Sequence, residues 1–330
     1  MRSPEEVAGP GGYHAPQTTP EGSVVGRPEL TARHPELRGI DWNAVHERFP
    51  IRVPRTWAAG AEPELLLQSL PDARELDVDP GDTPDPVGEQ ARSPLPWVVR
   101  KHSDRVLLLL TKRCHLYCRY CFRADHRPGD GDDPTASEWA AMLEYARTSG
   151  AREVILSGGD PLAIRDDRLF EAMDAVRMGL VEPPVLRIHT RAPITAPARV
   201  TAALVLGIRA RAPTWVFVHC NHAAELTPAV RTALAMLVDA GIPVCNQAVL
   251  LRGVNDNADT LARLCEELVA LRVFPYYLHH PDAVPGNAHF RLSLAEGRVI
   301  YAALGRQVSG LALPRYVIDP PDGSGKRDVG

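Results

Sequence analysis

The sequence predicts an α/β chain whose body is a partial (β/α)6, TIM-like barrel. Three observations predict it. From residue 105 onward, short apolar runs alternate with amphipathic helical patterns. The helical stretches carry matched start and stop signals. The notable polar residues fall just after the apolar runs, where such barrels gather their chemistry.

The runs are Arg105 to Thr111, Glu153 to Ser157, Val185 to Thr190, Trp215 to His219, Val244 to Leu250 and Val273 to Leu278. Continuous apolar runs of this length read as buried parallel strands. Between them, Thr135-Ala-Ser-Glu138 is a capping box, and Gly150 closes that helix. Thr227 is an N-cap followed by Pro228 at the first helical position, and Gly241 ends the helix. Asp256 to Leu271 is amphipathic. Ahead of this body, residues 1–40 are expected to be a disordered tail. Residues 41–100 are expected to form a helical cap. Its fragments, Trp42 to Phe49 and Glu62 to Leu70, are broken by prolines. The barrel is assigned to residues 101–318 and a C-terminal tail to 319–330.

The chain has 330 residues, is 45% apolar, and carries a net charge of -4. No global field favours nucleic acid or an anionic membrane, and no window matches a membrane helix. The first 26 residues lack the apolar region of a secretory signal. Six cysteines are too sparse for a disulfide framework. These features predict a cytoplasmic protein with neither nucleic acid nor membrane as partner.

The most telling motif is Cys114-His-Leu-Tyr-Cys118-Arg-Tyr-Cys121. Three thiolates this close suit three irons of a cubane cluster and leave one iron open to a non-protein ligand. A structural zinc site is the competing reading, with His115 and His126 near enough to serve as further ligands. Ser157-Gly158-Gly159-Asp160 follows the second strand. Alone it would pass as an ordinary turn, although two glycines also allow a close approach to a ligand. The terminal Gly323-Ser-Gly-Lys326 lacks the first glycine of a P-loop. Its glycines give the backbone freedom to bring Lys326 inward.

Taken in order, several segments narrow the reading. They are Cys118-Arg-Tyr-Cys-Phe-Arg123, Ser157-Gly-Gly-Asp-Pro161, Arg187-Ile-His-Thr-Arg191, Phe217-Val-His-Cys-Asn-His222, Asn246 to Asp256, Tyr276-Tyr-Leu278, His289-Phe-Arg291 and the terminal Gly-Ser-Gly-Lys. From about Asp85 to Lys326 the chain resembles the lysine 2,3-aminomutase family of pyridoxal-phosphate (PLP) radical S-adenosylmethionine (SAM) enzymes. The resemblance implies a radical SAM barrel and three cofactors: a [4Fe–4S] cluster, SAM and PLP. It implies that Cys114, Cys118 and Cys121 ligate the cluster. Tyr120, Gly158, Gly159, Asp160, His219 and Gln247 would contact SAM. Lys326 would bind PLP covalently, with Lys101 and Arg105 on its phosphate. Arg123 would take the substrate α-carboxylate. Asp282 and Asp319, otherwise ordinary loop aspartates, would take a cationic side chain.

The implied activity is a 2,3-aminomutase acting on a free cationic amino acid, L-lysine to β-lysine, with arginine as the rival substrate. A non-catalytic zinc or iron–sulfur protein is the rival of another class. Implied partners are a one-electron reductant of flavodoxin or ferredoxin type and further copies of the chain. The chain stops four residues after Lys326, so the zinc-binding C-terminal segment of longer family members is not expected. His102 stands where the family usually has tyrosine, Ala223 and Ala224 replace the usual proline and its neighbour, and Asp322 interrupts the glycine-rich approach to Lys326.

Overall fold

The computed structural model describes residues 24–58, 62–125, 131–178 and 180–330. One sheet holds nine strands in chain order. They are β1 (Val98–Val99), β2 (Arg105–Leu109), β3 (Glu153–Ser157), β4 (Val185–Thr190), β5 (Thr214–Val218), β6 (Val244–Val249), β7 (Phe274–His279), β8 (Arg315–Ile318) and β9 (Arg327–Asp328). Neighbours from β2 to β8 pair in parallel. The short strands β1 and β9 add antiparallel edges. Strand order equal to chain order is the outcome of repeated β/α crossovers. The sheet curves into an open, partial barrel.

All six predicted strands form. A seventh parallel strand, β8, joins them from a stretch expected only as the approach to the lysine tail. Its four residues, flanked by Pro314 and Pro320, are too few to show a period.

Alternation along each strand decides what faces the barrel interior. In β4, Leu186, Ile188 and Thr190 are buried against the outer helices. Arg187, His189 and the following Arg191 line the interior. In β3, Val154 and Leu156 pack outward while Ile155 and Ser157 face in. The outer layer closes with fully buried helix residues such as Met142, Leu169, Leu204, Leu234 and Leu268. Each such side chain stabilises the fold by about 1.5–3 kcal/mol. The helices begin where their caps lie. Thr135 and Glu138 form the reciprocal box of Ala136–Thr148, Thr227 caps Pro228–Asp239, and Asn257 caps Ala258–Ala270.

The expected disordered tail needs correction over its second half. Residues 1–23 lie outside the described residues. Beyond them, Arg27–Arg33 forms a helix and Pro35–Gly39 a 3-10 turn. Val25, Leu30 and Leu37 are each at most 5% exposed, and Arg27 stacks on the Trp42 ring. These isolated apolar anchors fix a segment whose composition alone reads as a tail.

The cap from residue 41 onward holds the helices Trp42–Arg48, Arg55–Ala58 and Pro63–Leu67. It packs directly on the cysteine loop. Tyr117 N donates to Arg52 O, and Arg119 N donates to Gln68 O. The Arg119 guanidinium is enclosed by Glu75, Pro50 O and Phe49 O.

Candidate active site

A cavity of about 520 Å³ opens at the C-terminal ends of the parallel strands. Every site residue that the family resemblance implies lines it. The cavity has two ends of different construction.

The first end is the cysteine loop. Cys114, Cys118 and Cys121 form no disulfide and are half-buried. Burial pushes the Cys114 thiol up, and Asp160 and the other two cysteines add to the rise. A thiolate there needs a compensating cation or metal. Among the described residues, no three or more His, Cys, Asp or Glu side chains gather as a cage for one metal ion. His115 is buried with its Nε2 3.2 Å from Leu162 O, so it serves the core. His126 lies outside the described residues. The three-thiol donor set suits a cluster that takes three thiolates and leaves one iron open.

Gly158 and Gly159 line the cavity, but they have a second reason to be glycine. A Cβ at Gly158 would fall 2.3 Å from Thr111 O, and one at Gly159 would fall 2.4 Å from Lys112 O. Two backbone segments therefore touch here, the end of β3 and the approach to Cys114. Gly159 N donates to Thr111 O, and Asp160 N to Arg113 O. Asp160 also departs from the expected role as an acceptor for a ligand. Oδ1 accepts from Leu162 N and the Thr190 hydroxyl, and Oδ2 accepts from Arg191 N. Its carboxylate ties β3 to β4 and has little capacity left for a ligand.

Tyr120 accepts a 2.7 Å hydrogen bond from Asn221 Nδ2, and its ring meets Phe290 edge-on. Burial brings His219 down to about 4, with Arg191 and Arg123 adding to the fall. Burial also holds His189 and His279 well below the usual histidine range. These imidazoles are neutral at pH 7. Gln247 Oε1 lies 3.1 Å from His279 Nε2.

Arg123 sits between the two ends. Its Nε and Nη2 form a fork onto Glu89 at 2.8 and 2.6 Å. Its Nη1 donates to Ser157 Oγ and Gly158 O. The guanidinium expected to hold a substrate carboxylate already holds an internal one.

The second end is the lysine tail. Lys326 Nζ donates to Asp319 Oδ2 at 2.7 Å, and Lys101 Nζ reaches Oδ1 at 3.4 Å. Burial alone would raise the Asp319 carboxyl, but the two lysines outweigh it and hold it below its ordinary value. Asp282 behaves in the opposite way. Burial, then the Asp319 charge, pushes it up to about 7. Arg105 lines the cavity floor and pairs with its neighbour Asp104. Arg187 and Arg315 face the same interior. Gly325, at φ +82°, lies so close to His102 that a Cβ would come within 2.7 Å of the imidazole. Arg92 holds the tail by donating to Pro321 O and Asp322 O.

No sequence signal marks Gln68, Glu75 and Glu89, which come from the irregular cap. Arg191 and Glu225 were also missed as site residues. Arg191 carried one usable signal, since it directly follows the predicted strand Val185 to Thr190, where barrel chemistry gathers.

With the geometry defined, comparison with known proteins is informative. The Radical SAM superfamily profile matches residues 108–265. L-lysine 2,3-aminomutase of Escherichia coli (strain K12) is 40% identical over 279 residues, covering 81% of this chain and 79% of that protein. The Buchnera aphidicola L-lysine 2,3-aminomutase is 34% identical over 293 residues, covering 86% and 84%. That of Fusobacterium nucleatum is 38% identical over 266 residues, covering 80% of this chain. The chain spans 62% of the length of this last relative. Identity at this level over most of the chain, on a barrel that brings three cysteines and Lys326 to one cavity, places the chain in the lysine 2,3-aminomutase family.

Proposed function

We propose that the chain is a radical SAM 2,3-aminomutase that moves the α-amino group of a free cationic amino acid to its β carbon, with L-lysine giving β-lysine. The observation that carries this reading is the shared cavity. It joins Cys114, Cys118 and Cys121 to Lys326, with Asp282 and Asp319 beside the lysine. A reactive lysine, a thiol triad and a pair of carboxylates serve this reaction together and have no joint purpose in a passive metal-binding protein.

When bound, a [4Fe–4S] cluster with SAM, and PLP, supply a 5′-deoxyadenosyl radical and a conjugated system over which an unpaired electron spreads. The protein's part is holding and orienting. The three cysteines hold the cluster. Tyr120, Gly158, Gly159, His219 and Gln247 surround SAM. Lys326 binds PLP covalently, and Lys101 and Arg105 suit its phosphate. Arg123 orients the substrate α-carboxylate, with Glu89 fixing the plane of the guanidinium. Asp282 and Asp319 take the far ammonium. Two buried carboxylates in one pocket are costly unless a cation joins them, which favours lysine over an acidic substrate. The net change moves nitrogen from the α to the β carbon and one hydrogen from β to α. Nothing is oxidised or reduced overall.

The test is anaerobic reconstitution with iron, sulfide, SAM and PLP, reduction by dithionite, and separate incubation with L-lysine, L-arginine and L-glutamate. β-Lysine from the first is the expected product. Turnover of arginine alone would move the substrate within the same class. Turnover of neither cationic amino acid would overturn the reading.

A further inference from the structure

We infer that Arg191 tunes the electron affinity of the iron–sulfur cluster through the sulfur of Cys118. This rests on the reading that Cys114, Cys118 and Cys121 hold that cluster. The observation is a charged donor aimed at a ligand sulfur. Arg191 Nη1 lies 2.7 Å from Cys118 Sγ, and the residue is 8% exposed.

The guanidinium is fixed in that pose from several sides. Nη2 donates to Gln68 Oε1 at 2.8 Å and to Glu225 Oε2 at 2.9 Å. The backbone N of Arg191 donates to Asp160 Oδ2. Glu225 is itself held by Asn221 N and His222 N. Asn221 Nδ2 also donates to Gln68 Oε1. The Trp57 and Tyr120 rings lie 5.2 and 5.6 Å from the guanidinium carbon. Gln68, Asn221 and Glu225 are each at most 1% exposed. A long, flexible side chain has been given one geometry, and that geometry ends on a thiolate ligand.

The electrical consequence follows from charge. The external reductant passes one electron to the cluster and is itself oxidised by one electron. The added negative charge is shared with the thiolate sulfurs. A cationic N–H at one of them stabilises the reduced cluster more than the oxidised one and raises the reduction potential. Burial strengthens the effect because little solvent screens it. Glu225 acts in the opposite sense, since its negative charge offsets part of Arg191. Arg191 is thus a positioning and tuning residue. It does not touch the reacting atoms.

The test is a redox titration of the reconstituted full chain, following the EPR signal of the reduced cluster. Arg191→Gln should lower the midpoint potential. At a fixed applied potential, the ratio of reduced to oxidised cluster should fall about tenfold, or ~59 mV for a one-electron couple. Glu225→Gln should shift the potential upward. Arg191→Lys, which keeps the charge without the fork, should fall between wild type and Arg191→Gln. Arg231→Gln, which breaks the Arg231–Glu267 pair on the outer helices, should leave the potential unchanged. Wild-type potential in an Arg191→Gln protein with full iron content would overturn the inference, as would shifts of the same sign in both glutamine variants. If Arg191→Gln takes up no cluster, Arg191→Lys and Glu225→Gln decide, and unchanged potentials in both would overturn it. A wild-type chain that forms no four-iron cluster would instead remove the cluster reading on which the inference stands.

Discussion

The two ends of the cavity are held by different means. At the cysteine end the supporting pairs are buried. Arg119 and Glu75 are 3% and 2% exposed, and Arg191 and Glu225 are 8% and 1%. At the lysine end the supports are open to solvent. Lys326 is 33% exposed at its side chain, Arg327 meets Asp322 on the surface, and β9 is two residues long. The difference teaches what each end must do. A cluster ligand set works only in one arrangement, so its loop is fixed from below by the cap and from the side by β4. The lysine proposed to exchange partners during the reaction would need freedom, and its tail is only lightly tethered.

This contrast can be broken by mutation. The largest expected effect is at Lys326. Lys326→Ala should lose the absorption band of covalently bound PLP entirely while keeping iron content and urea midpoint unchanged. A drop in iron content would mean that the two ends are not separable. Next comes Glu75→Gln, which leaves the Arg119 cation buried without its partner. It should cost about 3–5 kcal/mol in urea unfolding. A loss under about 1 kcal/mol would show that the cap does not anchor the cysteine loop.

A smaller effect is expected at Asp282. Its carboxyl, raised to about 7, is mostly protonated at pH 6 and mostly ionised at pH 8. Cation recognition should therefore strengthen with rising pH. The kcat/KM for L-lysine should rise several-fold over that interval, and Asp282→Asn should flatten the profile. The folded-state value lies above the ordinary 3.8, so the group's contribution to stability is lost as pH rises from about 4 to 7. Asp282→Asn should then melt higher than wild type at pH 8 and alike at pH 3.5. The smallest effect is at Arg92, which tethers the tail through exposed contacts. Arg92→Ala should cost about 1 kcal/mol or less and slow PLP incorporation, with cluster formation unaltered.

Much of this was legible in the sequence because period and spacing carry it. The six apolar runs announced β2 to β7, and the cysteine spacing announced the loop. The rest was hidden for physical reasons. β8 is too short to show alternation. Leu30 and Leu37 order the segment around them through contacts distant in sequence. Gln68, Glu75 and Glu89 sit in proline-broken stretches where nothing marks a buried polar residue. Asp160 was read toward a ligand, yet its oxygens serve Leu162, Thr190 and Arg191. A glycine pair was read as space for a cofactor, while the space is also filled by the chain's own carbonyls.

The contact between Asp319 and the two lysines has a consequence for the order of assembly. Lys326 holds Asp319 Oδ2 with its own ammonium, so the protein's side chain sits in the seat proposed for the substrate's far end. Covalent attachment of PLP at Lys326 would withdraw that ammonium and leave Asp319 to the substrate. Cofactor loading and recognition of a cationic amino acid then become successive claims on one carboxylate. The unloaded chain should bind L-lysine weakly, and Lys326→Ala should bind it more tightly by calorimetry.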